Sequence, residues 1–99
     1  MHEKNMPEAM AHFKMALKID PNNIVALNNL ANVYQSQGQK EEALSLYLKV
    51  ITLDPNDMPA NANLAIYYYT KGEYERSAFF YKKAKQGGFS HPVLDRKFP

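Results

Sequence analysis

The spacing of apolar side chains predicts a chain made of helices. After residue 23, apolar residues follow one another at intervals of three and four positions, as in Leu27, Leu30 and Tyr34. This spacing places them along one stripe of an α-helix. The same spacing recurs elsewhere, so we predict an all-α fold with helices at residues 6–19, 24–37, 40–53, 58–71 and 74–86, and a short turn around residues 91–97.

The sequence also repeats itself. When it is compared with itself at a shift of 34 residues, 14 of the 57 aligned pairs are identical, whereas about one in 15 is expected from typical residue usage. Leu30 and Tyr34, for example, recur as Leu64 and Tyr68. A period of this length indicates stacked units that bury their apolar faces against their neighbours, here with one pair of helices per unit.

Glycine and proline mark the ends of the predicted helices. Gly38 and Gly72 follow the apolar stripes, at the point where a helix often ends in a left-handed residue that glycine adopts without steric cost. Pro21 and Pro55 cannot donate an amide hydrogen, so the preceding helices must stop there. The following helices are expected to be capped by side chains from the next two residues of each joint, namely Asn22, Asn23, Asn56 and Asp57.

These features together resemble the tetratricopeptide repeat (TPR) family. The positions that carry the resemblance are Leu30, Ala31, Tyr34, Gly38, Ala43, Tyr47 and Pro55, and in the next unit Leu64, Ala65, Tyr68, Gly72, Ser77, Tyr81 and Ala84. The resemblance implies antiparallel helix-turn-helix pairs stacked as a right-handed solenoid. It divides a single domain, residues 1–99, into a half repeat at 1–23, full repeats at 24–57 and 58–91, and a C-terminal tail at 92–99.

The sequence departs from the family pattern at two places. Leu27 and Asn61 stand where the family has an early tryptophan. Gly87, Gly88 and Phe89 occupy the stretch where another Asp-Pro joint is expected. The regular array is therefore predicted to end near residue 86.

Composition and charge exclude several classes of protein. The chain is 45% apolar and 22% charged, as in ordinary soluble domains, and no apolar run approaches the roughly 18 residues of a membrane span. Its first ten residues lack the pattern of a signal peptide. A net charge of +2 gives no nucleic-acid footprint, and zero cysteine suits a reducing compartment. We expect a cytoplasmic protein without a membrane span or a nucleic-acid partner.

The sequence offers little for catalysis. His2, His12 and His91 are scattered and do not have the spacing of a metal site. The glycine pair near residue 87 follows a predicted helix and lacks the lysine of a phosphate-binding loop. We therefore expect no catalytic residues, no metal site and no cofactor.

Asparagine is unusually frequent in the first helix of each repeat, although it is a poor helix former. In the TPR family these first helices line a concave groove, and the resemblance places there Asn28, Asn29, Asn32, Gln35, Ser36, Asn63, Ile66, Tyr69 and Thr70. Asn29 and Asn63 also resemble the asparagine ladder of the TPR arrays in O-linked glycosyltransferases. Because an amide both donates and accepts, such a ladder can pair with the backbone of an extended peptide. The alternative is that these amides bond to helix carbonyls or to water.

The first predicted helix has an apolar stripe with no preceding helix to cover it. This stripe consists of Met6, Met10, Phe13 and Leu17. Leaving such side chains in water costs roughly 1.5 to 3 kcal/mol each, so we expect them to be covered. Either the chain is a piece of a longer array, or it self-associates as a homo-oligomer.

Basic residues are concentrated at the other end of the chain. Residues 71–99 contain seven lysine and arginine residues and three acidic ones. This excess either attracts an acidic partner segment or gives the last helices a solvated outer face.

The sequence as a whole indicates a non-catalytic adaptor that binds a protein partner, as an extended peptide or a partner helix, in the concave groove. Two alternatives stay open: a self-assembling TPR scaffold, and a targeting segment of a larger enzyme. A third TPR binding mode, capture of the C-terminal carboxylate of a chaperone tail, is disfavoured because Asn28 and Val93 stand where that mode needs lysines.

Overall fold

A computed structural model describes residues 6–99 of the chain. Its helices are α1 (Met6–Ile19), α2 (Ile24–Ser36), α3 (Lys40–Leu53), α4 (Met58–Thr70), α5 (Tyr74–Gln86) and α6 (Pro92–Lys97). The described residues contain no strand, so the predicted all-α fold class is confirmed. The chain divides into two compact units, of which unit 1 ends at Leu53 and contains α1 to α3, and unit 2 spans Asp54–Pro99 and contains α4 to α6.

The two Asp-Pro joints have the same hydrogen bonds, as the repeated sequence predicts. In the first joint, Asn23 Oδ1 accepts the Ala26 amide at 3.1 Å, and in the second, Asp57 Oδ2 accepts the Ala60 amide at 3.1 Å. Each cap satisfies an amide that has no partner within its helix. The predicted starts of α2 and α4 follow directly from these caps. Asn22 and Asn56 take another role, because their backbone amides donate to Asp20 and Asp54 at 3.1 Å.

Glycine ends the helices of both units by the same local geometry. Gly38 and Gly72 both have φ of +79°, a conformation that costs a residue with a Cβ roughly 1 to 2 kcal/mol. Beyond each glycine the next amide bonds back across the last turn, from Gln39 to Tyr34 and from Glu73 to Tyr68, at 2.9 Å in both cases. The chain thereby reverses direction, so that α3 packs on α2 in unit 1 and α5 packs on α4 in unit 2.

In unit 1 the core lies mainly between α2 and α3. Leu27, Leu30 and Ala31 are buried on α2, and they share this core with the buried Ala43, Tyr47 and Val50 of α3. Small residues at the contact positions allow the two helices to approach closely. α1 packs against α2, but none of the side chains described for it, at residues 7–19, is fully buried.

In unit 2 the C-terminal segment is part of the core. Leu94 of α6 is only 1% exposed and forms a buried cluster with Ala65 of α4 and Tyr81 of α5. Partly buried residues pack around this cluster, namely Ile66, Tyr69, Phe80, Phe89 and Phe98. The short turn predicted around residues 91–97 is therefore a helix that closes one side of the α4–α5 pair.

Candidate functional site

The α2 helix of unit 1 carries five of the predicted groove residues. Asn32 and Ser36 are exposed, Asn29 and Gln35 are half-buried, and Asn28 is buried. Asn32 lies three positions from both Asn29 and Gln35 and four positions from Ser36, so these residues lie on one face of the helix. This outward-facing set, Asn29, Asn32, Gln35 and Ser36, is called the α2 amide face below.

A buried tyrosine on α3 orients two of these amides. The Tyr47 ring is buried, and its hydroxyl donates to Asn32 Oδ1 and lies 3.2 Å from Gln35 Oε1. A phenol has a single proton, so the Tyr47 hydroxyl donates it chiefly to Asn32 Oδ1, and Gln35 Oε1 shares it at a longer distance. Each amide then keeps its outer polar group for another partner, in a fixed orientation.

Burial also keeps the Tyr47 hydroxyl protonated. It raises the pKa of Tyr47 to about 12, because the phenolate would lose its hydration inside the unit. The hydroxyl therefore remains a hydrogen-bond donor throughout the neutral range, and the orientation of the two amides does not change with pH there.

The remaining polar groups of the α2 amide face differ in how far they are already bonded. The Ser36 hydroxyl donates to the Asn32 carbonyl oxygen at 2.8 Å, one turn back in the same helix, so its proton is used locally. The Asn29 side chain makes no hydrogen bond to the described residues. Asn29 is thus the amide of this face with both its donor and its acceptor unused.

The α4 helix of unit 2 carries the other predicted groove residues. Asn63 Nδ2 donates to the Pro59 carbonyl at 2.9 Å, which leaves its oxygen available as an acceptor. The Thr70 hydroxyl likewise bonds within the helix, to the Tyr67 carbonyl at 2.8 Å. Ile66 and Tyr69 are half-buried and pack against the cluster around Leu94, so they contribute less exposed surface than an open groove position would.

The predicted apolar stripe of α1 is only partly in water. Met10, Phe13 and Leu17 are half-buried, and Gln37 Nε2 lies 3.7 Å from the Met10 sulfur; the Met6 side chain lies outside the described part of the structure. The most exposed apolar residues of α1 are instead Met15, at 58%, and Ile19, at 81%. They lie four positions apart on one face of the helix. The sequence argument missed them because it followed the stripe that faces α2.

Residues 6–99 contain neither a candidate cluster of metal ligands nor a candidate membrane span. Within that range, no group of three or more histidine, cysteine, aspartate or glutamate side chains is placed to hold a metal ion. None of the described helices is both long and apolar enough to cross a bilayer.

Comparison with protein families agrees with the repeated helix pairs. Two family models described as tetratricopeptide repeat match residues 24–57 and 46–79, and a third, described as TPR repeat, matches residues 3–38. The matches together extend over residues 3–79. The chain belongs to the tetratricopeptide repeat family. A search of curated proteins found no match.

Membership of this family indicates the general role of the chain. TPR repeats generally mediate protein–protein interactions, and they are typically not catalytic. The match over residues 3–38 includes α1, so the family resemblance extends beyond the two full repeats that the sequence period shows.

A second polar cluster in the TPR chain fastens α6 to α5. The Tyr81 hydroxyl donates to Asp95 Oδ1, which Lys85 Nζ also approaches at 3.0 Å. The Ser90 hydroxyl donates to Asp95 Oδ2 at 2.8 Å, and the His91 amide donates to the Tyr81 oxygen at 3.0 Å. These bonds link Tyr81 of α5 to His91, the residue before α6, and to Asp95 within α6.

The hydrogen bonds in this cluster lower the pKa of Asp95. Hydrogen bonds from Tyr81, Lys85 and Ser90, in that order of effect, lower the pKa of Asp95 from 3.8 to about 2. Because the folded-state pKa is below the unfolded one, the contribution of Asp95 to stability is complete above about pH 4. It is lost as the pH falls through about 2.

This shift leads to a prediction for the variant Asp95→Asn. We expect the variant to unfold at lower urea concentration than the wild type near pH 7, and most of the difference between the two midpoints to be lost at about pH 2, where the wild-type carboxylate is half protonated. The exposed Glu75→Gln substitution on α5 is the matched control and should leave the midpoint unchanged at both pH values. A difference between wild type and Asp95→Asn that is the same at both pH values would contradict the assignment.

Proposed function

We propose that the chain is an adaptor that binds an extended peptide segment of a partner protein through the side-chain amides of α2 and α4. The observation that carries this proposal is the orientation of Asn32 and Gln35 by the buried hydroxyl of Tyr47. Side chains fixed before binding lose less conformational entropy when they bind. These two amides are therefore better suited to ligand binding than freely rotating surface amides.

The hydrogen-bond donors and acceptors that remain unpaired on the asparagine side chains support a peptide backbone as the ligand. Asn29 offers a donor and an acceptor, and Asn63 offers an acceptor. The backbone of an extended peptide presents donors and acceptors along its length, which match such amides whatever its sequence is. Binding through the backbone would give affinity, while neighbouring side chains such as Tyr69 would give specificity.

The proposal predicts the effect of removing the two asparagines of the ladder. A peptide would first be selected on the purified chain from a display library of random peptides. Asn29→Ala combined with Asn63→Ala should then weaken its binding by about 1 to 3 kcal/mol, measured by isothermal titration calorimetry. Helicity measured by circular dichroism should stay unchanged, because neither side chain belongs to the core.

Two asparagines outside these helices supply matched controls. Asn22→Ala and Asn56→Ala make the same chemical change at exposed positions of the two joints, and they should leave the affinity unaltered. Measuring Asn29→Ala and Asn63→Ala singly as well as together shows whether both helices contact the same peptide. Unchanged affinity in the double variant would rule out the ladder.

Self-association through α1 is a second candidate function, favoured by the exposure of Met15 and Ile19. In this case the molar mass from light scattering should rise with protein concentration. Met15→Glu should abolish that rise without unfolding the chain, since Met15 is already exposed. The control is Lys14→Glu, at an exposed position of the same helix that does not share a face with Met15 and Ile19. A constant monomer mass at all concentrations would exclude this candidate.

A further inference from the structure

A cavity of about 560 Å³ lies in unit 2 beside α5 and the last residues of the chain. None of the residues that line it belongs to α4, so it is separate from the predicted groove residues of that unit. Ligand sites commonly have volumes of about 300 to 1,000 Å³. The cavity is thus large enough for a bulky side chain together with part of the peptide that carries it.

The floor and one wall of this cavity are apolar. Ala78 and Tyr81 contribute from α5, and Phe98 contributes from just beyond the end of α6. Phe98 is held in place, because its ring centroid lies 6.3 Å from that of Tyr81 and its side chain packs against the cluster around Leu94. This side of the cavity is therefore preformed in the absence of a ligand.

The rim of the cavity is basic. Lys82 and Lys85 both line it, and their spacing of three residues puts them on the same face of α5. Lys85 is paired with Asp95. Lys82 is exposed and has no acidic partner among residues 6–99. An anionic group at this rim would meet one uncompensated positive charge and a second that is only partly neutralised.

From this combination we infer that the cavity is a second docking site, for an acidic peptide segment that inserts an apolar side chain against Ala78 and Phe98. The apolar side chain would remove the cavity walls from water, which supplies affinity. Aspartate or glutamate residues beside it would pair with Lys82 and Lys85, which supplies charge selectivity. The basic excess of residues 71–99 acts in the same direction by attracting an acidic segment before contact.

A peptide of defined composition tests this inference. The probe is a capped peptide that places one phenylalanine between two pairs of glutamates; its control replaces every glutamate with glutamine. Titration into the ¹⁵N-labelled chain should shift the amide signals of Ala78, Lys82 and Phe98, with affinity that falls as salt concentration rises. The glutamine peptide should bind at least about tenfold more weakly, which corresponds to roughly 1.4 kcal/mol.

Substitutions then separate this cavity from general charge attraction. Lys82→Glu reverses the rim charge and should weaken binding of the probe by about tenfold or more. Lys49→Glu makes the same change at an exposed position of unit 1 and should leave the affinity unchanged. Ala78→Leu fills the cavity from a helical position and should abolish insertion of the phenylalanine while the helix signals stay in place.

Three outcomes would overturn the inference. The first is binding of the probe that shifts signals of α2 or α4 instead of those around Lys82. The second is an equal loss of affinity in Lys82→Glu and Lys49→Glu, which would indicate non-specific attraction. The third is a short oligothymidylate that binds the same residues more tightly than the peptide does, which would assign the rim to nucleic acid. Failure of the asparagine variants to affect binding of their own selected peptide leaves these results unaffected, because the two sites share no residue.

Discussion

Replacing Leu94 with alanine will lower the free energy of unfolding of unit 2 by about 2 to 5 kcal/mol. The side chain is only 1% exposed, and it packs against Ala65 of α4 and Tyr81 of α5. Truncation removes apolar contacts and leaves a cavity that α6 cannot close without moving. Such a loss is a large part of the 5 to 15 kcal/mol that typically stabilises a whole domain.

The neighbouring residue provides the control for this prediction. Val93 is 40% exposed, so Val93→Ala should change the free energy of unfolding far less than Leu94→Ala does. Urea denaturation followed by circular dichroism measures both variants, and hydrogen exchange of the α4 and α5 amides assigns the loss to unit 2. Similar small effects for both variants would mean that α6 is not part of the core.

Asn61→Ala is expected to lower the free energy of unfolding by about 1 to 3 kcal/mol. Asn61 is fully buried, and its Nδ2 donates to the Pro55 carbonyl at 3.0 Å and to the Asp57 carbonyl at 2.8 Å. It thereby ties the Asp-Pro joint to the first turns of α4. Without the amide, the Pro55 carbonyl loses the partner that the structure shows for it.

Two further substitutions identify the source of this effect. Asn63→Ala removes an amide that is only half-buried and should change stability by less than about 0.5 kcal/mol. Asn61→Leu introduces the residue that unit 1 has at the equivalent position, Leu27, and it fills the volume without restoring the hydrogen bonds. If Asn61→Leu is as stable as the wild type, packing and not hydrogen bonding explains the role of Asn61.

The candidate site was predictable from the sequence only in part. The family resemblance places Asn29, Asn32 and Gln35 on α2 toward a ligand, and the structure leaves these side chains accessible. Tyr47 was recognised only as the family's core aromatic. Its contact with the two amides depends on how α3 packs on α2, and no local pattern in the sequence reports the direction of a hydroxyl group.

The sequence by itself determined the helices and the joints of this protein. Their signals act over a few residues: proline removes an amide donor and fixes a dihedral angle, glycine permits a positive φ, and apolar spacing selects the face to be buried. Such constraints hold wherever the segment lies in the fold. The helices α2 to α5 consequently begin at the predicted residue, and α1 to α5 end within one residue of the predicted position.

Only the tertiary structure decided the roles of Asn61, Tyr81 and Leu94. Asn61 departs from the family pattern and gave no indication of its partners, and Leu94 lay in a segment predicted to be a tail. Tyr81 and Asp95 are 14 residues apart in the chain, and they meet because α6 folds back onto α5. Contacts of this kind depend on the burial of whole helices, which a pattern of neighbouring residues does not encode.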